Sequence, residues 1–326
     1  MQRERARRCG GLLGGLATVV ASVALVPTSS AAPAAGHSTE RAAHYTPSAA
    51  AGERAAANGG GRTGDFTKNA IPDVLTRGAA TGALKVYPHT GTFDGTNTYD
   101  PATTIGENWG DARWIGQGDL NKDKLADVLT VDDGGTLRVH PHTGTWDGKN
   151  TLGDPVVLGH GWDTTDLITT GDLNGDGFDD MVAHRTGTKN TFVYENTGGV
   201  NGTNTFKKPV LLATGPSDDE QLAIADITAD QVPDVVAKRP NGELEVFSFT
   251  DGEQGKSFTI GYGWDTVDTI AITDINDDGK PDILGARNGA LFAYPHSGGF
   301  DPNKPAATLR EPVEVISDWT GNDVLS

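Results

Sequence analysis

The sequence predicts an all-β protein, a β-propeller of five four-stranded blades closed by pairing of a C-terminal strand with the N-terminal blade. Three observations predict it. An Asp/Asn-rich loop recurs from Asp65, Asp119, Asp172, Asp226 and Asp274, at spacings of 54, 53, 54 and 48 residues. A period near 50 points to blades or an array. Each period holds about four short apolar runs separated by turn residues, the signal of short paired strands. Gly is very common, at 44 of 326 residues, and the apolar fraction is only 36%, which suits many tight turns better than helices.

The elements follow in chain order. Residues 1–33 read as an export signal. Arg3, Arg5, Arg7 and Arg8 form a basic start, Gly11 to Val26 is apolar, and Ser30-Ala31-Ala32 offers small residues for cleavage. Arg7-Arg8 matches a twin-arginine signal poorly, so the export route stays open. The only cysteine, Cys9, precedes the apolar run, so cleavage would leave no thiol and no disulfide. Residues 34–62 are rich in Ala, Gly and Ser and are expected to be a disordered linker or pro-segment. The propeller is expected over 63–326, in repeats of about 64–117, 118–170, 171–224, 225–272 and 273–326.

Within a repeat the loop leads into an apolar run such as Val128-Leu129-Thr130-Val131. A turn, a second run such as Leu137-Arg138-Val139 and a Gly-rich turn such as Thr143-Gly144-Thr145 follow. A last run leads to a Trp ten residues before the next loop, at Trp109, Trp162 and Trp264. The first copy lacks a strand before its loop, and Trp319 to Ser326 supplies one in surplus. The last four residues are therefore expected to form the innermost strand of the blade built from residues 64 to about 107, leaving no open edge.

Asp, Asn and Asp at loop positions 1, 3 and 5, a carbonyl at 7 and Asp at 9 make a hard-oxygen cage of the kind Ca²⁺ accepts. The expected ligand sets are Asp119, Asn121, Asp123, Leu125 and Asp127; Asp172, Asn174, Asp176, Phe178 and Asp180; Asp226, Thr228, Asp230, Val232 and Asp234; and Asp274, Asn276, Asp278, Lys280 and Asp282. The loop of Asp65, Thr67, Asn69, Ile71 and Asp73 has only two carboxylates and is expected to be weak or empty. Lys122 and Lys124 should weaken the second loop. Up to four or five structural Ca²⁺ ions are expected. An EF-hand is excluded, because position 12 is Thr130, Ala183, Ala237 or Gly285 instead of Glu, and the flanks are β-branched.

The Asp-x-Asn-x-Asp-Gly-x-x-Asp loop, in repeats of this length, resembles the FG-GAP/VCBS repeat family, similar to units in integrin α-chain heads and bacterial secreted proteins. The resemblance covers about residues 64–326. It implies a Ca²⁺-bearing propeller with the loops between the first and second strands of each blade. The Phe-Gly and Gly-Ala-Pro elements are not preserved, and five units stand where integrins have seven.

A formal charge of −18, about −21 after signal cleavage, argues against nucleic acid and anionic membranes as partners. No segment is expected to span a membrane in the mature chain, and a secreted monomer is expected. No Gly-x-Ser-x-Gly or His-Glu-x-x-His occurs. His89, His142 and His296 recur in phase and read as blade features, although His140-x-His142 could also hold Zn²⁺. Trp162 and Trp264, with Trp146 and His142, are candidates for ligand stacking. Against this, one Trp per blade also suits packing between blades. Trp114 occurs once. The function expected is a binding or adhesion module for extracellular glycan or protein. The alternatives are a secreted polysaccharide lyase or hydrolase and an envelope-associated scaffold.

Overall fold

The computed structural model describes residues 64–214, 218–250 and 253–326. The expected signal peptide and linker lie outside these residues. The described chain is all-β, with five antiparallel blades in a propeller. The second blade comprises β4 (Ala112–Gly118), β5 (Asp127–Asp132), β6 (Leu137–His140) and β7 (Val156–Gly159). The third comprises β8 (Thr165–Gly171), β9 (Asp180–Arg185), β10 (Asn190–Tyr194) and β11 (Val210–Thr214). The fourth comprises β12 (Gln221–Ala225), β13 (Asp234–Lys238), β14 (Leu244–Thr250) and β15 (Glu253–Gly261). The fifth comprises β16 (Thr269–Thr273), β17 (Asp282–Arg287), β18 (Ala290–Tyr294) and β19 (Val313–Ile316).

The first blade holds β1 (Val74–Arg77), β2 (Leu84–Tyr87) and β3 (Thr103–Gly106), and the C-terminus completes it. Leu75 and Ser326 exchange backbone hydrogen bonds of 2.9 and 3.1 Å. Asp323 N–H donates to Arg77 O at 3.0 Å, and Gly78 bridges Asn322. The expected closure is thus realised, over slightly more residues than four. It leaves the sequence repeats one strand out of phase with the blades.

Strand alternation explains where the core lies. Successive side chains point to opposite sheet faces, so in β5 Val128 faces the first blade while Leu129 and Val131 face the third. Five apolar clusters result, one between each pair of neighbouring blades. Position 2 of every loop enters one of them: Phe66, Leu120, Leu173, Ile227 and Ile275 are all fully buried. Burying a side chain of this size stabilises by about 1.5–3 kcal/mol, so each loop is anchored by its second residue whatever its polar groups do.

The Trp repeats wedge the same layers. Trp109, Trp162, Trp264 and Trp319 pack on the ring that ends the third strand of the next blade. The partners are His140, Tyr194, Tyr294 and Tyr87, at centroid distances of 4.5, 4.9, 4.6 and 5.6 Å. Gly261 is required here, since a Cβ would lie 2.2 Å from the Trp264 indole nitrogen. The innermost strands β4, β8, β12 and β16, with the C-terminal residues, line a central channel of about 1050 Å³.

Candidate metal centre

The Asp/Asn loops connect the first and second strands of the second to fifth blades, the first loop leads into β1, and they share one rim of the channel. All five adopt the same backbone. Position 4 is left-handed in Lys68, Lys122, Gly175, Ala229 and Asp277, and position 6 in Ala70, Lys124, Gly177, Gln231 and Gly279. Glycine at position 6 was legible in two loops, but the equal demand at position 4 was not, because glycine fills it only at Gly175.

The position 1 carboxylate holds that conformation. In each loop its Oδ2 accepts the N–H of position 6, at 2.9 Å for Asp65, 2.8 Å for Asp119, 2.9 Å for Asp172, 3.0 Å for Asp226 and 3.0 Å for Asp274. The position 9 carboxylate ties the loop to its own blade. Oδ1 of Asp73, Asp127, Asp180 and Asp282 accepts the backbone N–H of His89, His142, Asn196 and His296 at 2.7–2.8 Å.

Position 3 divides the loops into two kinds. Asn121, Asn174 and Asn276 turn their amide oxygen to the N–H of position 5. Thr67 and Thr228 donate their hydroxyl to the position 9 carboxylate instead, at 3.5 and 3.3 Å. At position 5, Asp123, Asp176, Asp230 and Asp278 accept the N–H of Leu125, Phe178, Val232 and Lys280. In the first loop Asn69 does the same for Ile71. Among the described residues no three or more His, Cys, Asp or Glu side chains form a ready metal cluster. The carboxylates lie in the expected loops with these backbone donors as partners.

Position 9 is an uncomfortable place for a charge. Burial pushes Asp127 and Asp282 up to about 7 and Asp180 and Asp234 up to about 8, and the carboxylates at positions 5 and 1 add repulsion. Asp73 rises only to about 6, chiefly by burial, with a single carboxylate neighbour. A hard-oxygen set of this kind fits a divalent cation, whose charge would offset both burial and repulsion.

The histidines latch neighbouring blades. His142 Nε2–H donates to Phe66 O at 3.0 Å, and its Nδ1 accepts Gly144 N–H at 2.9 Å. His89 and His296 repeat this arrangement on Ile275 O and Ile227 O. Asn196 reaches Leu120 O through its side-chain amide at 3.0 Å. The fourth blade has Phe249 in this slot, buried in the apolar layer. Both nitrogens of each histidine are thus spent inside the protein.

These placements correct the ligand-stacking expectation for Trp162, Trp264 and His142. Trp162 and Trp264 are 7% and 4% exposed, wedged between blades, and His142 is 5% exposed with no free nitrogen. Trp146 is half-buried on the cluster between the first two blades. His140 packs on Trp109 and burial pushes it down to about 4, while His142 is committed to its latch, so the pair does not act as a zinc clamp. Among the described residues no helix is long and apolar enough to cross a membrane.

Residues 119–183 and 172–237 match the FG-GAP-like repeat, so the resemblance read from the loops holds. No curated protein matches. Among solved structures, the chain is similar to an Agrocybe aegerita lectin described for specific recognition of non-reducing terminal N-acetylglucosamine. The TM-score is 0.44 at 17% identity, over 79% of this chain and 65% of the lectin. A TcdB2-TccC3-Cdc42 structure gives a TM-score of 0.33 at 15% identity, over 74% of this chain and 13% of that one.

Proposed function

From a propeller built of FG-GAP-like repeats, we propose that this protein is an exported, calcium-stabilised binding module for extracellular glycan or protein. One observation carries the reading: each repeated polar feature found in the blades is spent on holding the ring together. The histidine latches, Trp wedges and loop carboxylates bind blade to blade or loop to strand. A scaffold whose repeats serve cohesion leaves its rims and channel free for recognition.

Calcium supports the scaffold in this reading. Asp172, Asn174, Asp176, the Phe178 carbonyl and Asp180 would hold one ion, and the loops at Asp119 and Asp274 would do likewise. The loops with Thr67 and Thr228 place a hydroxyl where the other loops place an Asn amide oxygen. The test is an array of glycans and secreted proteins probed with the full chain in millimolar calcium and again in EDTA. Saturable binding that weakens in EDTA is expected. Turnover of any glycan on the array, abolished by one point variant that still folds, would replace this reading with the enzymatic one.

A further inference from the structure

The channel rim opposite the metal loops breaks the blade repeat at one place. Counting five residues on from each blade Trp, the slot on the innermost strand holds Leu167, Thr269 and Val324 after Trp162, Trp264 and Trp319. In the second blade it holds Trp114, which lines the channel half-buried. Gly116 makes room for it. A Cβ there would lie 2.5 Å from the indole ring, so the ring lies over the glycine along its own strand. The other slots counted here hold no aromatic, so this ring is not part of the repeated blade packing.

Fixed polar groups stand on the same rim. Asp166 Oδ1 bonds His184 Nδ1 at 2.6 Å, and Glu220 pairs with Lys238. The side chains of His184 and Lys238 are each 4% exposed, whereas Asp166 and Glu220 remain 47% and 44% exposed. Buried partners thus hold each carboxylate in one orientation with its outer edge in solvent. Asp323 is held the same way by Arg77, in two hydrogen bonds of 2.9 and 2.7 Å. Gln221 donates to Thr269 Oγ1 at 2.7 Å and accepts Ile270 N–H at 2.7 Å, bridging the fourth and fifth blades. Arg113 is anchored on Trp162 O and Thr165 O. Deeper in the channel wall, Gln117 is 8% exposed and its Oε1 has no partner.

Asp166, Glu220 and Asp323 on this rim stand with the cations Arg77, Arg113 and Lys238, and Asp268 is a further exposed carboxylate at the position equivalent to Asp166 in the fifth blade. The rim therefore offers oriented acceptors with donors set among them. A flat aromatic beside fixed planar polar side chains suits a ligand with one apolar face and an edge of hydroxyls.

We propose that this rim of the central channel binds a neutral sugar, with Trp114 as the stacking platform and Asp166, Glu220 and Gln221 as hydroxyl partners. The inference rests on the reading of the protein as a binding module and names its site. It does not depend on calcium reaching the loops.

The test is titration calorimetry and a neutral-glycan array on the full chain and on Trp114→Ala, Gly116→Ala and Trp146→Ala, with thermal melts as a fold control. Trp114→Ala is expected to weaken every neutral-glycan hit by about tenfold or more. Gly116→Ala keeps the indole but displaces it, and should weaken the same hits. Trp146→Ala should leave them unchanged. Hits that survive both channel variants overturn the proposal and leave the binding-module reading standing. An array with no neutral-glycan hit also overturns it, and leaves only the protein-binding arm of that reading.

Discussion

Removing calcium should give this protein a stability that falls as pH rises from 6.5 to 8. Burial first, and then the neighbouring carboxylates, lifts Asp180 and Asp234 from 3.8 to about 8. A carboxylate raised in the folded state binds its proton more tightly folded than unfolded. Its contribution is complete below 3.8 and is lost as pH climbs through 8. The buried histidines work in the opposite sense. His89, His142 and His296 are lowered from 6.5, chiefly by burial, so they favour the fold increasingly as pH rises towards 6.5 and are spent above it. The window above 6.5 therefore isolates the aspartates. Between pH 6.5 and 8 each would cost on the order of 1–2 kcal/mol, and Asp127 and Asp282, raised to about 7, would add on the order of 1 kcal/mol each, roughly 5 kcal/mol in all. At roughly 2–4 °C per kcal/mol for a large domain, the melting midpoint in EDTA should fall by roughly 10–20 °C. In saturating calcium the fall should vanish, because the cation favours the charged carboxylates at every pH in the window. Calorimetry of the full chain at pH 6.5, 7.0, 7.5 and 8.0, with calcium and with EDTA, reads both slopes. A midpoint in EDTA that is flat or rises over this range would refute the reasoning about buried charge. Equal slopes with and without calcium would refute the metal assignment alone.

Three further outcomes follow from the loops and latches. Lys124→Gly should raise the melting midpoint, since Lys124 sits at φ 70° and relief of a left-handed side chain is worth about 1 kcal/mol; an unchanged or lower midpoint counts against the shared loop backbone. His142→Ala should destabilise by about 1–3 kcal/mol, because it strands the buried Phe66 carbonyl between the first two blades. Chemical denaturation checks it, and a change below about 0.5 kcal/mol would show that the latch carries little. Deletion of residues 322–326 should abolish the single cooperative transition, since it removes the innermost strand of the first blade and exposes the edge of β1; a sharp transition near the full chain's midpoint would refute closure by these residues.

Much of the fold was legible because the physics is local and repeated. Short apolar runs between turn residues pair into sheets, and the surplus Trp319–Ser326 segment supplies the strand missing from the first repeat. In-phase recurrence also pointed to a structural use for His89, His142 and His296. The direction of the latch was not legible, because it joins residues 76 apart, His142 to Phe66, across two blades. The Trp residues looked equally fit for stacking on a ligand or on a neighbour; only the position of Tyr194 and Tyr294 decides it. The position 2 anchors were hidden for a different reason. Phe66, Leu120, Leu173, Ile227 and Ile275 share no identity, and any apolar residue fills the layer.

The departures from the repeat carry as much information as the repeat itself. Where the fourth blade puts Phe249 in the latch slot, the polar bond to Leu173 is replaced by apolar contact in the same layer, and cohesion is kept by other means. Where the first and fourth loops put Thr at position 3, a hydroxyl takes up the carboxylate that the other loops leave facing its neighbours. Both changes are compensated inside the ring. Trp114 differs: it packs in part on the apolar layer between the second and third blades, but its neighbours in the equivalent slots are smaller, a glycine is set aside for it, and it also lines the channel. Covering the channel-facing part of this half-buried indole would add to the usual hydrophobic gain, so a fold selected for cohesion alone would have covered it. That difference separates a substitution the scaffold absorbs from one that faces outward to something the scaffold does not contain.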